Sequence, residues 1–231
     1  MSIQGVLFDF NGTLFLDAAM NEAAWEEFTR QQGLPIFTKE EFITRFNGLT
    51  TLATLQGILG GQHPIDVLLK YSEQKEELYR YFCRQRTDLL HLTPGAEDLF
   101  TYLKHLGIPF GIATSAGWDN VSFFIEVFGL YRWFSSEAIV YNDGAIPSKP
   151  APDIYLKAAA GIGCDIRQCL VFEDSPQGIE AGRRAGAAGV CAVAPRQEHT
   201  RLRSLIGVVD AIEDFTQFDR SSLQRPMKGI A

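Results

Sequence analysis

Short apolar runs of the kind that form buried β-strands occur at the start of the chain and again from residue 109 onward. They are GVLFDF (5–10), PFGIAT (109–114), EAIVY (137–141), CLVFE (169–173) and GVCAV (189–193). Between the last four lie segments with helical periodicity, such as 120–128 and 154–160. Unbroken apolar strands that alternate with helices are typical of a parallel sheet covered on both faces. The pattern therefore predicts an α/β fold with a doubly wound parallel sheet.

Residues 16–90 break this rhythm, because they contain several helical patterns and no convincing strand. Apolar residues recur there at spacings of three and four, as in Leu52, Leu55 and Ile58. Glycines and prolines separate these patterns from one another. The sequence therefore predicts two parts: an α/β core, residues 1–15 and 91–231, and a helical cap domain, residues 16–90, inserted after the first strand.

Composition and charge narrow the range of partners. The chain has 231 residues, 46% of them hydrophobic, which is ample for a core. Its 28 acidic and 21 basic residues give a net charge of −7 without a long block of one sign, which argues against a nucleic-acid or anionic-membrane surface. No basic region precedes an apolar stretch at the start, and no apolar run approaches the roughly 20 residues of a membrane span. We expect a cytoplasmic monomer that binds neither nucleic acid nor membrane.

The four cysteines and four histidines form no recognisable reactive or metal-binding pattern. The cysteines contain no C-x-x-C pair and have no histidine at zinc-site spacing, so we interpret them as reduced thiols. The histidines are scattered in polar or helical contexts, which disfavours a histidine triad or a histidine metal cluster. Candidate chemistry must therefore come from other residues.

The stretch LFDFNGTLF (7–15) places a carboxylate, Asp9, at the end of the first apolar strand. In open parallel sheets, ligands bind outside the carboxyl ends of the strands. Gly12 permits a tight turn, and Thr13 offers a hydroxyl and an amide that suit an anion. The alternative is an ordinary turn at Asn11-Gly12, with Asp9 as a helix cap.

Three further stretches bring polar residues to strand ends or to the loops near them. Thr114 and Ser115 close PFGIAT, Lys149 lies in SKPAPDIY, and Glu173 and Asp174 close CLVFEDS. With Asp9, this set contains a nucleophile, carboxylates that suit a hard divalent ion, and a lysine that balances charge. These are the parts needed for phosphoryl transfer to a carboxylate.

The segments DFNGT, IATSA, SKPAPDIY and FEDSPQGIEAG resemble the four successive motifs of the haloacid dehalogenase superfamily. The resemblance covers nearly the whole chain. It points to the branch with a helical cap inserted after the first motif, which includes β-phosphoglucomutase and many phosphatases of small phosphates. It implies a Rossmann-like core, a cap, Mg²⁺ as cofactor and a small phosphorylated metabolite as substrate.

The resemblance also implies a role for each motif residue. Asp9 would be the nucleophile that becomes a phosphoaspartate, and Lys149 would pair with Asp9 and the phosphate. The phosphate would be bound by Thr114 and the amide of Ser115, with Gly12 and Thr13 in the first turn. Mg²⁺ would be held by the Asp9 side chain, the main-chain carbonyl of Asn11 and Asp174, with Glu173 assisting directly or through water. Two alternatives stay open: Ser115 only satisfies the backbone, and Glu173 orients other groups instead of binding metal.

Asn11 departs from the family pattern. Phosphatases and mutases of the family usually carry a second Asp there, which protonates the leaving alcohol and later deprotonates the attacking water. An amide can donate a hydrogen bond to the leaving oxygen, but it holds no transferable proton, and such catalysis typically supplies about 10²- to 10⁴-fold. Three explanations compete: a deliberate Asp-to-Asn substitution, a weak or specialised phosphatase, and a member with different chemistry. We expect a rate that is unusually sensitive to leaving-group basicity.

Rival reactions fit the sequence less well. Phosphonate-cleaving relatives need a cap lysine, but the loop after Phe46 has none and Lys39 comes too early. In a metal-independent dehalogenase, Glu173 and Asp174 would be surplus acids beside a nucleophilic carboxylate. The sequence therefore favours a Mg²⁺-dependent phosphohydrolase. The alternatives are a catalytically impaired phosphate-binding or regulatory protein and, less favoured, a β-phosphoglucomutase-type mutase or the dehalogenase.

The cap is expected to select the substrate. The candidate residues are Asn21, Arg45, Thr50 and Thr51. Trp25 is interpreted as core, because Phe28 shares its helix face. Where β-phosphoglucomutase has a His in the first cap helix and an Arg after the cap glycine, this chain has Asn21 and Thr51, which argues against the mutase reaction.

Overall fold

A parallel sheet forms the centre of the molecule. The computed structural model describes residues 3–35, 38–60 and 63–223. Within them the sheet has six strands: β1 (Gly5–Phe8), β2 (Phe110–Gly117), β3 (Ile139–Asn142), β4 (Cys169–Glu173), β5 (Gly189–Val193) and β6 (Val208–Ile212). Their spatial order is β3-β2-β1-β4-β5-β6, and every neighbouring pair is parallel. Because the order reverses at β1, the predicted doubly wound α/β fold is confirmed.

The helices fall into two groups along the chain. The first four, α1 (Ala18–Gln32), α2 (Lys39–Arg45), α3 (Thr51–Leu59) and α4 (Ile65–Gln85), follow β1 without an intervening strand. The remainder, α5 (Ala96–Leu106), α6 (Trp118–Phe128), α7 (Asp153–Gly161), α8 (Pro176–Ala185) and α9 (His199–Arg203), alternate with the later strands. None of the helices in the described ranges combines the length and apolarity that a bilayer span requires.

Apolar clusters cover both faces of the sheet. On one face the ring of Phe8 stacks on Phe172 at 5.2 Å and meets Phe100 and Phe215 edge-on. On the other face Leu7 belongs to a separate cluster with residues of α7 and α8. Successive residues of a strand point to opposite faces, so β1 feeds both layers and is buried throughout.

The four helices α1 to α4, which lie between β1 and β2 in the chain and are called the helical insertion below, have an apolar cluster of their own. Trp25, Phe28, Leu55 and Leu68 are buried together there, away from the two clusters of the sheet. Helices α1 and α4 pack against each other along this cluster. The assignment of 16–90 as a separate cap domain, with the core in 1–15 and 91–231, remains a prediction.

The sixth strand, β6, was not among the strands predicted from the sequence. Its sequence VVDAI is short and interrupted by a charge, and Val209 is 60% exposed, as suits the edge of a sheet. Asp210 is accommodated because its carboxylate accepts a hydrogen bond from Arg203 at 2.9 Å. An edge strand of this kind lacks the unbroken apolar run that identified the buried strands.

Removing the ring of Phe8 should destabilise the protein strongly. The side chain is fully buried among four other phenylalanine rings, so Phe8→Ala leaves a cavity at the centre of the sheet. We expect a loss of about 3–5 kcal/mol in the free energy of unfolding, measured by urea denaturation. Ile206→Ala, at a side chain that is 82% exposed, serves as the control and should cost less than about 0.5 kcal/mol. Equal losses in the two variants would contradict this assignment of the core.

Candidate active site

The register of the sheet places Asp9 beside the two acids that follow on β4. Phe8 pairs with Phe172, and the amide of Asp9 donates a hydrogen bond to the carbonyl oxygen of Phe172 at 3.0 Å. Glu173 is the last residue of the neighbouring strand, and Asp174 follows it directly. Parallel strands end at the same edge of a sheet, so all three carboxylates meet there although 164 residues separate Asp9 from Glu173 in the chain.

The turn after Asp9 depends on glycine. Gly12 has φ = 81°, and a Cβ atom built on it would lie 2.3 Å from Oδ2 of Asp174. Glycine is therefore required at this position for two reasons: the backbone has a positive φ, and the turn lies too close to Asp174 for a side chain. Thr13 is buried beside it, with Oγ1 3.5 Å from Oδ1 of Asp174. The alternative, an ordinary turn at Asn11-Gly12, does not account for this close contact with Asp174, an acid that follows β4.

Lys149 connects two of the carboxylates. Its Nζ donates to Oδ1 of Asp9 at 2.6 Å and to Oε1 of Glu173. Tyr155, six residues further on in α7, donates its hydroxyl to the same Glu173 oxygen at 2.9 Å. Lys149, Glu173 and Tyr155 are all fully buried, or within 1% of it. The sequence analysis missed Tyr155, which is the last residue of SKPAPDIY and the third residue of α7.

Glu173 is held by the protein on both carboxylate oxygens. Oε1 accepts from Lys149 and Tyr155, and Oε2 accepts from the amide and the hydroxyl of Ser175, each at 3.0 Å. Gly178 makes room for this carboxylate, because a Cβ there would lie 1.7 Å from Oε1. These contacts fit the alternative in which Glu173 orients Lys149.

Burial dominates the electrostatics of the acids. It raises the pKa of Asp9 to about 7, although the charge of Lys149 acts in the opposite direction. Burial also raises the pKa of Asp174, and the neighbouring Glu173 and Asp9 carboxylates add to the effect. Burial alone would lower the pKa of Lys149, but the attraction of Asp9 and Glu173 outweighs it and the pKa is raised. Three acids share one lysine, so the site favours additional positive charge.

The same acids can hold a metal ion. One carboxylate oxygen from each of Asp9, Glu173 and Asp174 lies within 4.8 Å of the other two. Carboxylate oxygens are the ligands that hard divalent cations prefer. The donor set therefore fits a hard divalent cation, and such a cation would supply the charge that the acids favour.

Thr114 and Ser115 reach the same edge of the sheet on β2. β2 pairs with β1 in a register that sets Ile112 beside Phe8, so both residues lie level with the turn after Asp9. Thr114 is buried, and its hydroxyl accepts a hydrogen bond from the amide of Ala116. The hydroxyl of Ser115 donates to the carbonyl oxygen of Gly48 at 2.8 Å, which leaves the amide of Ser115 as the group predicted to bind phosphate.

A loop of the helical insertion, residues 46–50, lies against the site. Asn47 donates from Nδ2 to Oδ2 of Asp174 at 3.2 Å, and the amide of Thr50 donates to Oγ of Ser148 at 3.0 Å. A Cβ atom on Gly48 would lie 2.2 Å from Oγ of Ser175, so this approach also requires glycine. Sequence reasoning named Thr50 but missed Asn47.

Two of the predicted cap residues belong to a polar cluster at the edge of the insertion. Lys75 donates from Nζ to Oδ1 of Asn21 at 2.7 Å, while Glu76 accepts from the hydroxyl of Thr51 and from Nδ2 of Asn120. Sequence reasoning missed Lys75 and Glu76 because the run KYSEQKEE resembles an exposed helix face, and it also missed Asn120 on α6. The cluster joins α4 of the insertion to α6 of the core.

The candidate cap residue Arg45 and the aromatic residue Trp25 are placed differently. Arg45 is exposed, and its guanidinium lies 4.8 Å from the centre of the Phe46 ring. Trp25 is 8% exposed and packs within the insertion's apolar cluster, with Nζ of Lys75 5.1 Å above its ring. Trp25 is therefore part of the insertion's own apolar interior, as expected, and Arg45 is at the surface.

Asn11 belongs to a third polar group that sequence reasoning missed. Its Nδ2 donates to Oδ2 of Asp17 at 2.6 Å and to the hydroxyl of Tyr79 at 2.9 Å. Tyr79 donates in turn to Oδ2 of Asp17, and the amide of Gly12 donates to Oδ1. Burial raises the pKa of Asp17, while the hydrogen bonds from Tyr79 and Asn11 act in the opposite direction.

An open parallel sheet that gathers acids, a buried lysine and hydroxyls at its strand ends, beneath a helical insertion, defines a hydrolase of the haloacid dehalogenase type. Residues 3–186 match the family model described as haloacid dehalogenase-like hydrolase, and the chain belongs to this family. The resemblance stated from the four motifs is confirmed.

Similar proteins place the chain among phosphatase-like members of the family. Hexitol phosphatase A of Escherichia coli is 28% identical over 216 residues, which cover 94% of each chain. A family IA, variant 3 hydrolase from Entamoeba histolytica superposes with a TM-score of 0.84 at 38% identity and covers 96% of this chain and 97% of its own. A β-phosphoglucomutase from Clostridium difficile shares the fold, with a TM-score of 0.78 at 21% identity over 95% of this chain and 94% of its own. The protein is a phosphatase-like hydrolase.

Removing the cation of Lys149 should destabilise the protein in a pH-dependent way. Lys149→Met leaves Asp9 and Glu173 buried together without a counter-charge, so we expect a loss of about 3–5 kcal/mol near pH 8 in metal-free buffer. Because the pKa of Asp9 is about 7, this carboxyl is neutral near pH 5, and the loss should be smaller there.

The control for this variant is Lys157→Met, which breaks a 2.8 Å ion pair with Asp143 at a lysine that is 53% exposed. It should cost less than about 1 kcal/mol at either pH. Urea denaturation measures both variants. A loss in Lys149→Met that is as small as the control's, or that does not change with pH, would contradict the charge balance described for the site.

Proposed function

We propose that this protein is a Mg²⁺-dependent phosphohydrolase that acts on a small phosphorylated metabolite through an aspartyl-phosphate intermediate at Asp9. The observation that carries the proposal is the position of the Asp9 carboxylate, 2.6 Å from Nζ of Lys149 and within 4.8 Å of ligand oxygens of Glu173 and Asp174. The kinship with hexitol phosphatase A supports a small phosphorylated molecule as the substrate.

The metal would be held by the side chains of Asp9 and Asp174 and by the main-chain carbonyl of Asn11. When bound, Mg²⁺ supplies the positive charge that lets an anionic phosphate approach an anionic nucleophile. Glu173 would take part directly or through water. Its four hydrogen bonds to Lys149, Tyr155 and Ser175 favour the less direct role.

The remaining groups would bind and orient the phosphate. Lys149 balances the charge of Asp9 and the phosphate, and Thr114 with the amide of Ser115 binds phosphate oxygens from β2. The turn at Gly12 and Thr13 presents further donors from β1. Fixed donors that are already oriented cost no reorganisation during the reaction, which is how they favour a transition state with developing charge.

The insertion would select the organic part of the substrate. Loop 46–50 already contacts the site through Asn47 and Thr50, and the cluster around Asn21 and Thr51 lies at the junction of α4 with α6. These positions support a substrate-facing role for Asn21, Thr50 and Thr51. Arg45, at the surface, is the candidate that the contacts support least.

A second candidate function rests on Asn11. An amide holds no transferable proton, so a protein with the same fold and metal site but negligible turnover would act as a phosphate-binding or regulatory protein. The two candidates differ in turnover and agree in metal and phosphate binding. A substrate assay therefore separates them.

Asp9→Asn should abolish hydrolysis across a panel of small phosphates assayed with Mg²⁺. The amide cannot attack phosphorus, so we expect a fall in kcat of at least about 10³-fold. The matched control is Asp119→Asn, at an exposed carboxylate at the start of α6, which should keep wild-type activity. If Asp9→Asn keeps the activity of the wild type, the proposal is overturned. If the wild type shows no Asp9-dependent hydrolysis of any substrate in the panel, the result favours the phosphate-binding protein.

Mg²⁺ should stabilise the protein more at high pH than at low pH. The ordinary pKa of an exposed aspartate is 3.8, and burial raises that of Asp9 to about 7 in the folded protein, so between these values the folded state binds more protons and this group's contribution to stability falls as pH rises. Mg²⁺ binds the deprotonated acids and replaces those protons.

We therefore expect a larger Mg²⁺-induced rise in Tm near pH 8 than near pH 5, measured by thermal unfolding with and without the ion. Asp174→Asn removes a proposed ligand and should lose most of the rise at both pH values. The proposed metal site is wrong if the rise is independent of pH or persists in Asp174→Asn.

A further inference from the structure

The amide group of Asn11 has both of its hydrogens in use inside the protein. Nδ2 donates to Oδ2 of Asp17 at 2.6 Å and to the hydroxyl of Tyr79 at 2.9 Å. A primary amide carries two N–H donors, so none is left for a substrate. Only the carbonyl oxygen Oδ1 remains available, and it is an acceptor. In this arrangement the amide therefore has no hydrogen to donate to a leaving oxygen.

Asp17 is the residue that enforces this orientation. Its carboxylate accepts hydrogen bonds from Asn11, from the hydroxyl of Tyr79 at 2.6 Å and from the amide of Gly12 at 3.0 Å. Asp17 is 4% exposed and Tyr79 2%, so water cannot easily replace these partners. Turning the Asn11 amide around would set its carbonyl oxygen against the Asp17 carboxylate. The family pattern places an acid at position 11. In this chain an acid lies six residues later, at Asp17, and its carboxylate is covered by the amide of Asn11.

We propose that Asp17 is a positioning residue that holds Asn11 with only an acceptor free, and that the enzyme is thereby restricted to phosphates whose leaving groups depart without a proton. These are acyl phosphates and aryl phosphates, as opposed to sugar or alkyl phosphates. The inference rests on the proposed function, because it concerns the phosphoryl transfer to Asp9.

The electron and proton balance explains the restriction. An Asp9 oxygen forms a bond to phosphorus while the bond from phosphorus to the leaving oxygen breaks, and that oxygen keeps the electron pair. An acetate or phenolate is stable in this form, whereas an alkoxide needs a proton that Asn11 does not hold. In the second step a water oxygen bonds to phosphorus, the phosphorus–Asp9 bond breaks, and the water proton passes to solvent. Oδ1 of Asn11 can accept a hydrogen bond from that water but cannot take its proton.

The arrangement also predicts that restoring an acid at position 11 is not sufficient. In Asn11→Asp a carboxyl oxygen would lie where Nδ2 now stands, 2.6 Å from Oδ2 of Asp17, where two buried acids cannot both be ionised, and the proton that they share would be held between them instead of facing the leaving group. The exchange variant Asn11→Asp/Asp17→Asn removes the conflict. The amide at 17 then donates to the acid at 11, its Oδ1 still accepts from Gly12, and the same chemical groups are present in exchanged places.

The test compares wild type, Asn11→Asp, Asp17→Asn and the exchange variant with acetyl phosphate and with glycerol 3-phosphate. Rapid-quench samples analysed by intact mass report formation and decay of the phosphoenzyme. We expect the exchange variant to form it from glycerol 3-phosphate about 10²-fold faster than wild type, with the rate from acetyl phosphate within a few-fold. Its phosphoenzyme should also decay faster, because the ionised carboxylate at 11 can take the water proton as a general base. Asn11→Asp alone should gain much less.

Two controls accompany the comparison. Thermal unfolding of each variant verifies that it folds, and Asp9→Asn in the wild-type and exchange backgrounds verifies that the label is on Asp9. Peptide mapping of wild type excludes deamidated Asn11, since asparagine before Gly12 is prone to this change.

Three results would overturn the inference. The first is an exchange variant that reacts with glycerol 3-phosphate no faster than wild type, and the second is Asn11→Asp performing as well as the exchange variant. Either leaves the proposed function intact if wild type forms an Asp9-linked phosphoenzyme from acetyl phosphate. The third is the absence of that phosphoenzyme in wild type, with which the aspartyl-phosphate chemistry of the proposed function and this inference fail together.

Discussion

The ammonium group of Lys149 lies between the carboxylates of Asp9 and Glu173, with 1% of the lysine exposed. Taking charged groups out of water costs several kcal/mol per ion unless partners replace the lost hydration. Here the replacement is specific: Tyr155 and Ser175 hold the Glu173 carboxylate by hydrogen bonds, and Lys149 contacts both acids. Asp9 is thereby held at the end of β1 in a defined orientation, which is what a nucleophile requires. The stability of the folded state therefore depends on the pairing of these buried charges.

The sheet, the insertion and three glycines together bury these charged groups. A sheet that is buried on both faces keeps water away from the site from below, and the insertion approaches from above through the loop 46–50. Close approach at three points requires the absence of a side chain, because Cβ atoms at Gly12, Gly48 and Gly178 would overlap Asp174, Ser175 and Glu173 respectively. A local dielectric lowered in this way strengthens each interaction and makes each unpaired charge more costly. The raised pKa of Asp9 and of Asp174 expresses that cost, and a divalent cation would relieve it.

The sequence predicted the parts of this structure that depend on local pattern. Buried strands are unbroken apolar runs, and their ends were recognisable because a charged or hydroxyl residue follows, as Asp9 follows Phe8. The edge strand β6 lacks such a run and was missed. Residues recruited by tertiary contact were missed for a different reason: Tyr79 lies 68 residues from Asn11, and its helix α4 has the charge pattern of a solvated surface. The periodicity of a single sequence predicts the faces of a helix. It does not predict which face contacts a turn that is distant in the chain.

Asn11 and Asp17 show that the location of a functional group matters as much as its presence. A carboxyl group is available within 2.6 Å of position 11, yet it accepts three hydrogen bonds and stands behind an amide whose donors it occupies. Acid-base catalysis worth about 10²- to 10⁴-fold corresponds to about 3–5 kcal/mol of transition-state stabilisation, and that amount depends on which of two isosteric side chains carries the acid. The amide at position 11 avoids a repulsion between two buried carboxylates, so the arrangement favours the stability of the folded turn. On this proposal, a substrate whose leaving group needs no proton loses nothing in the rate of phosphoenzyme formation, which is the step in which that group departs.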